Sequence, residues 1–345
     1  MGLPKNFHPV PNWEGVPLPV LILTILLECV FGAPGNAAEF ELPAKPGPKS
    51  FDYKVIDALL SSGSPGILSA FKGDPDLRAT ELQLSYYMKE GGEFRADYMI
   101  GNLTARPLEY EITCLIDYQQ QEFQLDDKLS RVHRLQLTPG ERKTSTLKIA
   151  SVERGAHDFL LLAVTSKKNP RPSEPESLLL YHRANIFAGG YSFPATSWQK
   201  LREEASRSRA LQIVVNKEAD IGDFRPLFDD RRSPSAESKY YLHLSNPKTE
   251  ALRLTVLLLQ KSSAVGDIRV TPLYYALNPG RDGALEVTSP IATDTDSVLA
   301  VMIENPYVRL EPEPGTMLRT PTQVRPSNAI TLRQERDLTT KEEDF

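Results

Sequence analysis

The side chains able to do chemistry are few, and their spacing suits little of it. The five histidines are His8, His133, His157, His182 and His243, and no two stand at the short spacing of a local metal motif. Cys29 and Cys114 lie far apart, so no zinc pair forms in sequence. No G-x-S-x-G elbow and no phosphate-binding glycine loop is present. His157 and Asp158 are adjacent, just ahead of an apolar run. Neighbours on a strand point to opposite faces, so adjacency argues against a dyad and the pair reads as solvent-exposed turn residues. No two carboxylates stand out as the opposed pair of a glycosidase. Calcium, which takes six to eight oxygen ligands, has weak candidates in Asp294 and Asp296 of "DTDS" and in Asp220, Asp223, Asp229 and Asp230. Neither run has EF-hand spacing, and solvated turn carboxylates are the simpler reading. The expectation is a chain with no cofactor, no metal and no catalytic residue.

Two groups of residues fit recognition better than catalysis. Tyr181, Phe187, Tyr191, Phe193 and Trp198 crowd into "YHRANIFAGGYSFPATSW". They are either a stacking platform for a glycan or peptide, or the packing between two domains; large aromatics at a boundary favour the second. Two long proline-rich segments form the other group. "SKKNPRPSEPES" carries Lys167, Lys168 and Arg171 around its start, and "ENPYVRLEPEPG" carries Tyr307, Arg309 and Leu310. Both follow a hydrophobic run at the same place in the chain pattern, and proline lowers the entropy lost on binding. These six residues are the binding-loop candidates.

The elements that must position them read as strands. Of 345 residues, 28 are proline, above the ordinary share of roughly one in twenty, which suits a β-rich chain with extended connections. Alternating runs occur at Glu81–Met88, Phe94–Ile100, Leu108–Asp117, Val132–Leu137, Thr144–Ile149, Phe159–Thr165 and Leu178–Ile186. A second series comprises Leu211–Val215, Lys239–Ser245, Leu252–Gln260, Ile268–Leu277, Leu285–Thr288, Val298–Ile303 and Ala329–Arg333. Between them, "SWQKLREEASRSR" (Ser197–Arg209) has a capping serine and charges at i,i+4 spacing and predicts a short helix.

The two series echo each other. Asn102 precedes Leu108 as Asn246 precedes Leu252, and Leu108, Tyr110, Ile112 and Cys114 then match Leu252, Leu254, Val256 and Leu258. "LQLTPGE" matches "YALNPGR", and "FLLLAV" matches "SVLAV" with Val164 set against Val301. The echo predicts two copies of one domain. It makes Asn102 a turn residue with a twin at Asn246, although Asn102-Leu103-Thr104 is also a glycosylation acceptor. It makes Cys114 a small buried hydrophobe rather than a reactive thiol.

On these motifs the chain resembles the tandem Ig-like or fibronectin-like β-sandwich modules of exported bacterial proteins. The resemblance implies an all-β fold of two tandem Ig-like antiparallel sandwiches joined by a short helix. The expected domains are 76–195 for the first sandwich and 196–334 for the helix and second sandwich. Residues 38–75 are a linker with a short helical segment, and 335–345 a disordered charged tail.

Address and partners follow from the ends and the charge. Val16–Ala33 has an apolar heart too short for a comfortable membrane span but long enough for a secretory h-region, and Gly35 and Ala37 allow cleavage before Ala38. Residues 1–37 are therefore a signal peptide or a membrane anchor. The expected location is the periplasm, cell surface or extracellular space, or else the inner membrane with the bulk outside the cytoplasm. A net charge of −5 without a basic patch excludes nucleic acid as a partner. The function expected is non-catalytic binding, adhesion or scaffolding toward a protein or cell-surface polymer, with membrane contact only through the N-terminal segment. An accessory subunit of a membrane complex and an enzyme with a dispersed carboxylate site are the alternatives.

Overall fold

The computed structural model describes residues 67–73, 78–79, 84–102, 105–165, 179–221, 223–232, 239–262, 267–287, 291, 295–310 and 324–334. All of them fall within one compact unit, Leu42–Phe345. The segment Val16–Ala33, the residues Lys167, Lys168, Arg171 and Asp294, and the tail 335–345 lie outside the described residues. Among those described there is no helix, and every regular element is a strand.

The first twelve strands are β1 (Ile67–Gly73), β2 (Arg78–Ala79), β3 (Ser85–Met88), β4 (Phe94–Asn102), β5 (Leu108–Ile116), β6 (Gln119–Gln121), β7 (Phe123–Leu125), β8 (Lys128–Ser130), β9 (Val132–Leu137), β10 (Arg142–Ile149), β11 (Gly155–Thr165) and β12 (Leu179–Ala188). They form a five-stranded sheet, β1-β4-β10-β7-β8, and a seven-stranded sheet, β2-β3-β12-β11-β5-β6 with β9 on β5. The remaining strands are β13 (Gln199–Lys200), β14 (Arg202–Ala205), β15 (Gln212–Asn216), β16 (Asp229–Arg232), β17 (Tyr241–Asn246), β18 (Leu252–Ser262), β19 (Asp267–Leu277), β20 (Arg281–Glu286), β21 (Ser297–Glu304) and β22 (Val324–Gln334). They form a six-stranded sheet, β13-β19-β18-β21-β22-β16, and a four-stranded sheet, β14-β20-β17-β15.

These four sheets enclose three apolar cores. Phe94, Tyr98 and Ile100 of the five-stranded sheet meet Tyr110, Ile112, Cys114 and Phe159 of the seven-stranded one. Leu242 and Leu244 of the four-stranded sheet meet Leu254, Val256, Leu258 and Ala300 of the six-stranded one. The third core lies between the seven- and six-stranded sheets, where Leu115, Leu160 and Leu162 pack on Leu257, Leu259, Leu299 and Val301. Both inner sheets are thus buried on both faces. That accounts for the unbroken runs "FLLLAV" and "TVLLLQ", where a half-solvated strand would alternate. In the outer sheet, β4 does alternate over Phe94–Tyr98, with Arg95 and Asp97 exposed.

The echo survives as matching pairings. Leu108 sits opposite Leu137, and Leu252 opposite Leu277. Gly140 and Gly280 both take positive φ, at 77° and 61°, in the turns that follow. One registration differs from the sequence reading. Cys114 pairs with Leu161 and its twin Leu258 with Ala300, so Val164 corresponds to Ile303 and Leu162 to Val301. The slip is two residues, which leaves every side chain on its expected face.

The predicted helix at Ser197–Arg209 is not formed. Gln199–Lys200 pairs parallel to β19, and Arg202–Ala205 then pairs antiparallel to β20. The segment passes from the edge of one sheet to the edge of the other, with Leu201 packed against the core between them. A Cβ on Gly283 would come within 3.0 Å of Leu201 Cδ1, so glycine permits that approach. Pairing with two open edges outweighs the modest helix propensity of a charged stretch. A second departure is β1, which lies inside the segment read as linker and lines the edge of the five-stranded sheet against β4.

Candidate functional site

The densest polar chemistry among the described residues sits where the two inner sheets meet. It is built on the tight hairpin between β5 and β6, whose two turn residues, Asp117 and Tyr118, both have positive φ, at 51° and 65°. The turn aims the fully buried Tyr118 ring into the junction, where its hydroxyl donates to Asp158 Oδ2 at 2.5 Å. Arg183 of β12 donates to the same carboxylate twice, from Nε to Oδ1 at 2.9 Å and from Nη2 to Oδ2 at 2.6 Å. Its remaining hydrogens reach across the junction to the carbonyls of Glu304 and Asn305, at 2.8 and 2.9 Å. The Tyr307 amide closes the circuit on Asp158 Oδ2 at 3.0 Å.

These partners set the electrostatics. Burial works against the Arg183 charge, but the Asp158 carboxylate outweighs it and holds the guanidinium well above its ordinary pKa. Burial, reinforced by Asp158, pushes the Tyr118 hydroxyl upward, so it stays a donor. A second bridge, Lys261 Nζ to Glu111 Oε2 at 3.1 Å, links β18 to β5.

His157 and Asp158 differ from the sequence reading in exposure. They are strand residues of β11 and are buried, not turn residues in solvent. Opposite faces do take them to different partners: Asp158 to Arg183, and His157 to Asp117, Nδ1 to Oδ2 at 2.7 Å. The cause of the burial is tertiary, since both their neighbours in space, the Asp117 turn and residues 304–307, arrive from elsewhere in the chain.

Four of the five candidate aromatics, Phe187, Tyr191, Phe193 and Trp198, form one seam, joined through Tyr307 and Tyr274. Phe187 stacks on Tyr87 at 5.0 Å and meets Tyr191 and Phe193 at 5.5 and 6.1 Å. Phe193 meets Tyr307, Tyr307 stacks on Tyr274, and Trp198 stands at 89° to Tyr274. Most of these contacts are tilted or edge-on, the geometry of interlocked packing rather than of an open platform. Tyr191 and Tyr181 keep exposed surface, whereas Phe187 is buried and Trp198 half-buried under the Arg253 guanidinium, 5.5 Å from its ring centroid.

The second binding-loop candidate is drawn into the same junction. Tyr307 is half-buried, its hydroxyl near those of Tyr274 (3.2 Å) and the Asp117 carbonyl (3.3 Å). Leu310 is buried, and its amide donates to Asn185 Oδ1 at 2.7 Å. Arg309 remains exposed, donates to the Tyr87 hydroxyl at 3.0 Å and lies over the Phe187 ring. Of the calcium candidates, Asp223 is engaged by Arg225, Asp230 by Lys217 and Tyr240, and Asp296 is half-buried beside β18. No cluster of three metal-ligating side chains occurs among the described residues.

Sequence reasoning missed Asp117, Tyr118 and Arg183. Only one signal for them was available: a charged residue inside the run "LLLYHRANIF", where a two-sided apolar strand has no place for an unpaired cation.

No family model and no curated relative matches this chain. Among solved structures, the chain is similar to a CARDB domain from Pyrococcus furiosus in complex with di-metal ions. The identity is 12% and the TM-score 0.23, over 36% of this chain and 94% of that one. A secreted serine protease from Vibrio cholerae aligns at 8% identity and TM-score 0.22, over 68% of this chain and 49% of that one. A red sea bream transglutaminase aligns at 10% identity and TM-score 0.22, over 83% and 34%. At these TM-scores the likenesses carry no argument about function.

Proposed function

We propose that the chain comprises two tandem Ig-like β-sandwiches, and that it is an exported, non-catalytic scaffold or binding protein. One observation carries the reading. The best-placed acid at the junction, Asp158, is saturated by Arg183, Tyr118 and the Tyr307 amide, so it braces the two halves instead of facing a substrate. A buried carboxylate with every strong partner already in place has little left to offer a reaction. The same bonds hold the two inner sheets as one body, the property a scaffold needs to present surfaces at fixed separation. The exposed Arg309 and Tyr191, at the border of the seam, are the contact residues we assign to a protein or cell-surface polymer.

Cell fractionation with sequencing of the mature amino terminus tests the reading. A chain that begins at Ala38 in the exported fraction is expected. An intact Met1 in the membrane fraction favours the tethered accessory subunit, and a full-length cytosolic chain overturns both. A photo-crosslinking residue in place of Tyr191, activated in intact cells, should give a discrete adduct, and its loss in an Arg309→Ala background assigns the contact.

A further inference from the structure

The pair Asp117–His157 has an arrangement that bracing alone does not require. His157 places Nδ1 2.7 Å from Asp117 Oδ2 and Nε2 2.9 Å from the Glu153 carbonyl oxygen. Both partners are acceptors only. A neutral imidazole has one N–H to give, so only the imidazolium satisfies both contacts. Asp117 in turn orders the hairpin: its Oδ1 accepts the Asp158 amide at 3.0 Å and its carbonyl accepts the Tyr307 hydroxyl.

We propose that Asp117–His157 is a pH-sensitive latch, in which the imidazolium fixes the Asp117–Tyr118 turn in the junction and its deprotonation loosens that turn without parting the sheets. Asp117 faces the ring from the hairpin, and Glu153 from the segment before β11. Asp158, next on the same strand, is neutralised by Arg183 of β12. From the other half, among the described residues, come the neutral hydroxyls of Tyr307 and, through it, Tyr274. The cation therefore has the Asp117 carboxylate as its own counter-charge, and removing its proton leaves that carboxylate unbalanced.

The direction of the titration agrees. Burial pulls His157 down, but the hydrogen bond and charge of Asp117, with the Glu153 carbonyl, outweigh it and raise its pKa. A raised folded-state pKa contributes stability that is complete below the unfolded value and is lost as pH rises through the folded one. The aliphatic part of the third core, with Leu160, Leu162, Leu257 and Val301, carries no titratable group and keeps the sheets together throughout. The latch acts on local order, independently of where the chain is delivered.

Nuclear magnetic resonance of the full chain from about pH 5.5 to 9 tests it, following the His157 ring and amide protection factors corrected for intrinsic exchange. The His157 midpoint is expected above about 6.5, the unperturbed value. Protection at Asp158 and Tyr307 should fall several-fold through that midpoint, while protection at Leu258 stays level. In His157→Gln the Asp158 and Tyr307 profile should be flat. A midpoint at or below about 6.5, level protection in the wild type, or a fall that persists in His157→Gln overturns the proposal.

Discussion

Arg183 grips Asp158 through two parallel hydrogen bonds, Nε to Oδ1 at 2.9 Å and Nη2 to Oδ2 at 2.6 Å, at a place where neither side chain meets solvent. The same guanidinium caps two carbonyls at the end of β21, those of Glu304 and Asn305. The pair therefore joins sequence more than a hundred residues apart, which no local signal specifies.

Breaking this pair from one side should be costly. Arg183→Met leaves a buried carboxylate without its counter-charge, and removal of one partner of such a pair costs about 3–5 kcal/mol. Chemical denaturation should show that loss. The double variant Arg183→Met/Asp158→Leu should recover part of it, since an apolar pair of similar volume carries no unpaired charge. A double variant less stable than the single one would refute this account.

The acceptor sequence at Asn102 should stay unmodified in folded protein. Asn102 is fully buried, with Nδ2 donating to the Arg106 carbonyl at 2.8 Å and the Leu137 carbonyl at 3.1 Å. Asn246 repeats the arrangement on the carbonyls of Glu250 at 2.9 Å and Asn278 at 3.1 Å. Either residue changed to alanine takes the amide donor from two turn carbonyls, buried at Leu137 and part-buried at the others, a loss of about 1 kcal/mol or more. Intact mass after expression in a glycosylating host, and melting of the two variants, check both halves of the prediction.

His243 should make the protein acid-sensitive. It is fully buried, with Nε2 bonded to Asn216 Oδ1 at 2.8 Å and the Glu218 carbonyl at 2.9 Å. Burial holds its pKa below the ordinary value, with the Glu218 carbonyl working against the shift. A depressed folded-state pKa contributes stability that is present above the unfolded value and lost as pH falls below it. Unfolding measured between about pH 7 and pH 5 should show a stability loss that is smaller in His243→Gln; an unchanged slope would rule out this source.

The third core should outweigh any surface apolar residue. Leu257 is fully buried between the inner sheets, and Leu257→Ala should cost about 2–5 kcal/mol. Leu129, 62% exposed on β8, should tolerate serine within about 0.5 kcal/mol. Denaturation midpoints of the two variants should differ accordingly, and similar midpoints would mean that the inner sheets do not depend on each other.

Much of the strand inventory was legible in sequence. Leu108, Tyr110, Ile112 and Cys114 line the first core, and their counterparts from Leu252 to Leu258 line the second, as their period of two requires. The turns at Gly140 and Gly280 were legible for the same local reason, since Pro-Gly presets the backbone. The short strands at 119–130 were not, because three residues are too few for a periodic pattern. Nor was the candidate site, whose parts come from the 117–118 turn, β11, β12 and the residues after β21.

The sequence by itself determined most of the long strands, which of their faces are apolar and that one pairing pattern occurs twice, because those properties follow from the spacing of side chains along a single extended backbone. Only the tertiary structure decided that the two inner sheets cover each other, that Ser197–Arg209 spans two sheet edges, and that Asp158 meets Arg183 while His157 meets Asp117. Those outcomes depend on which distant segments compete for the same buried groups, and a hydrogen bond between residues far apart in the chain leaves no periodicity to read.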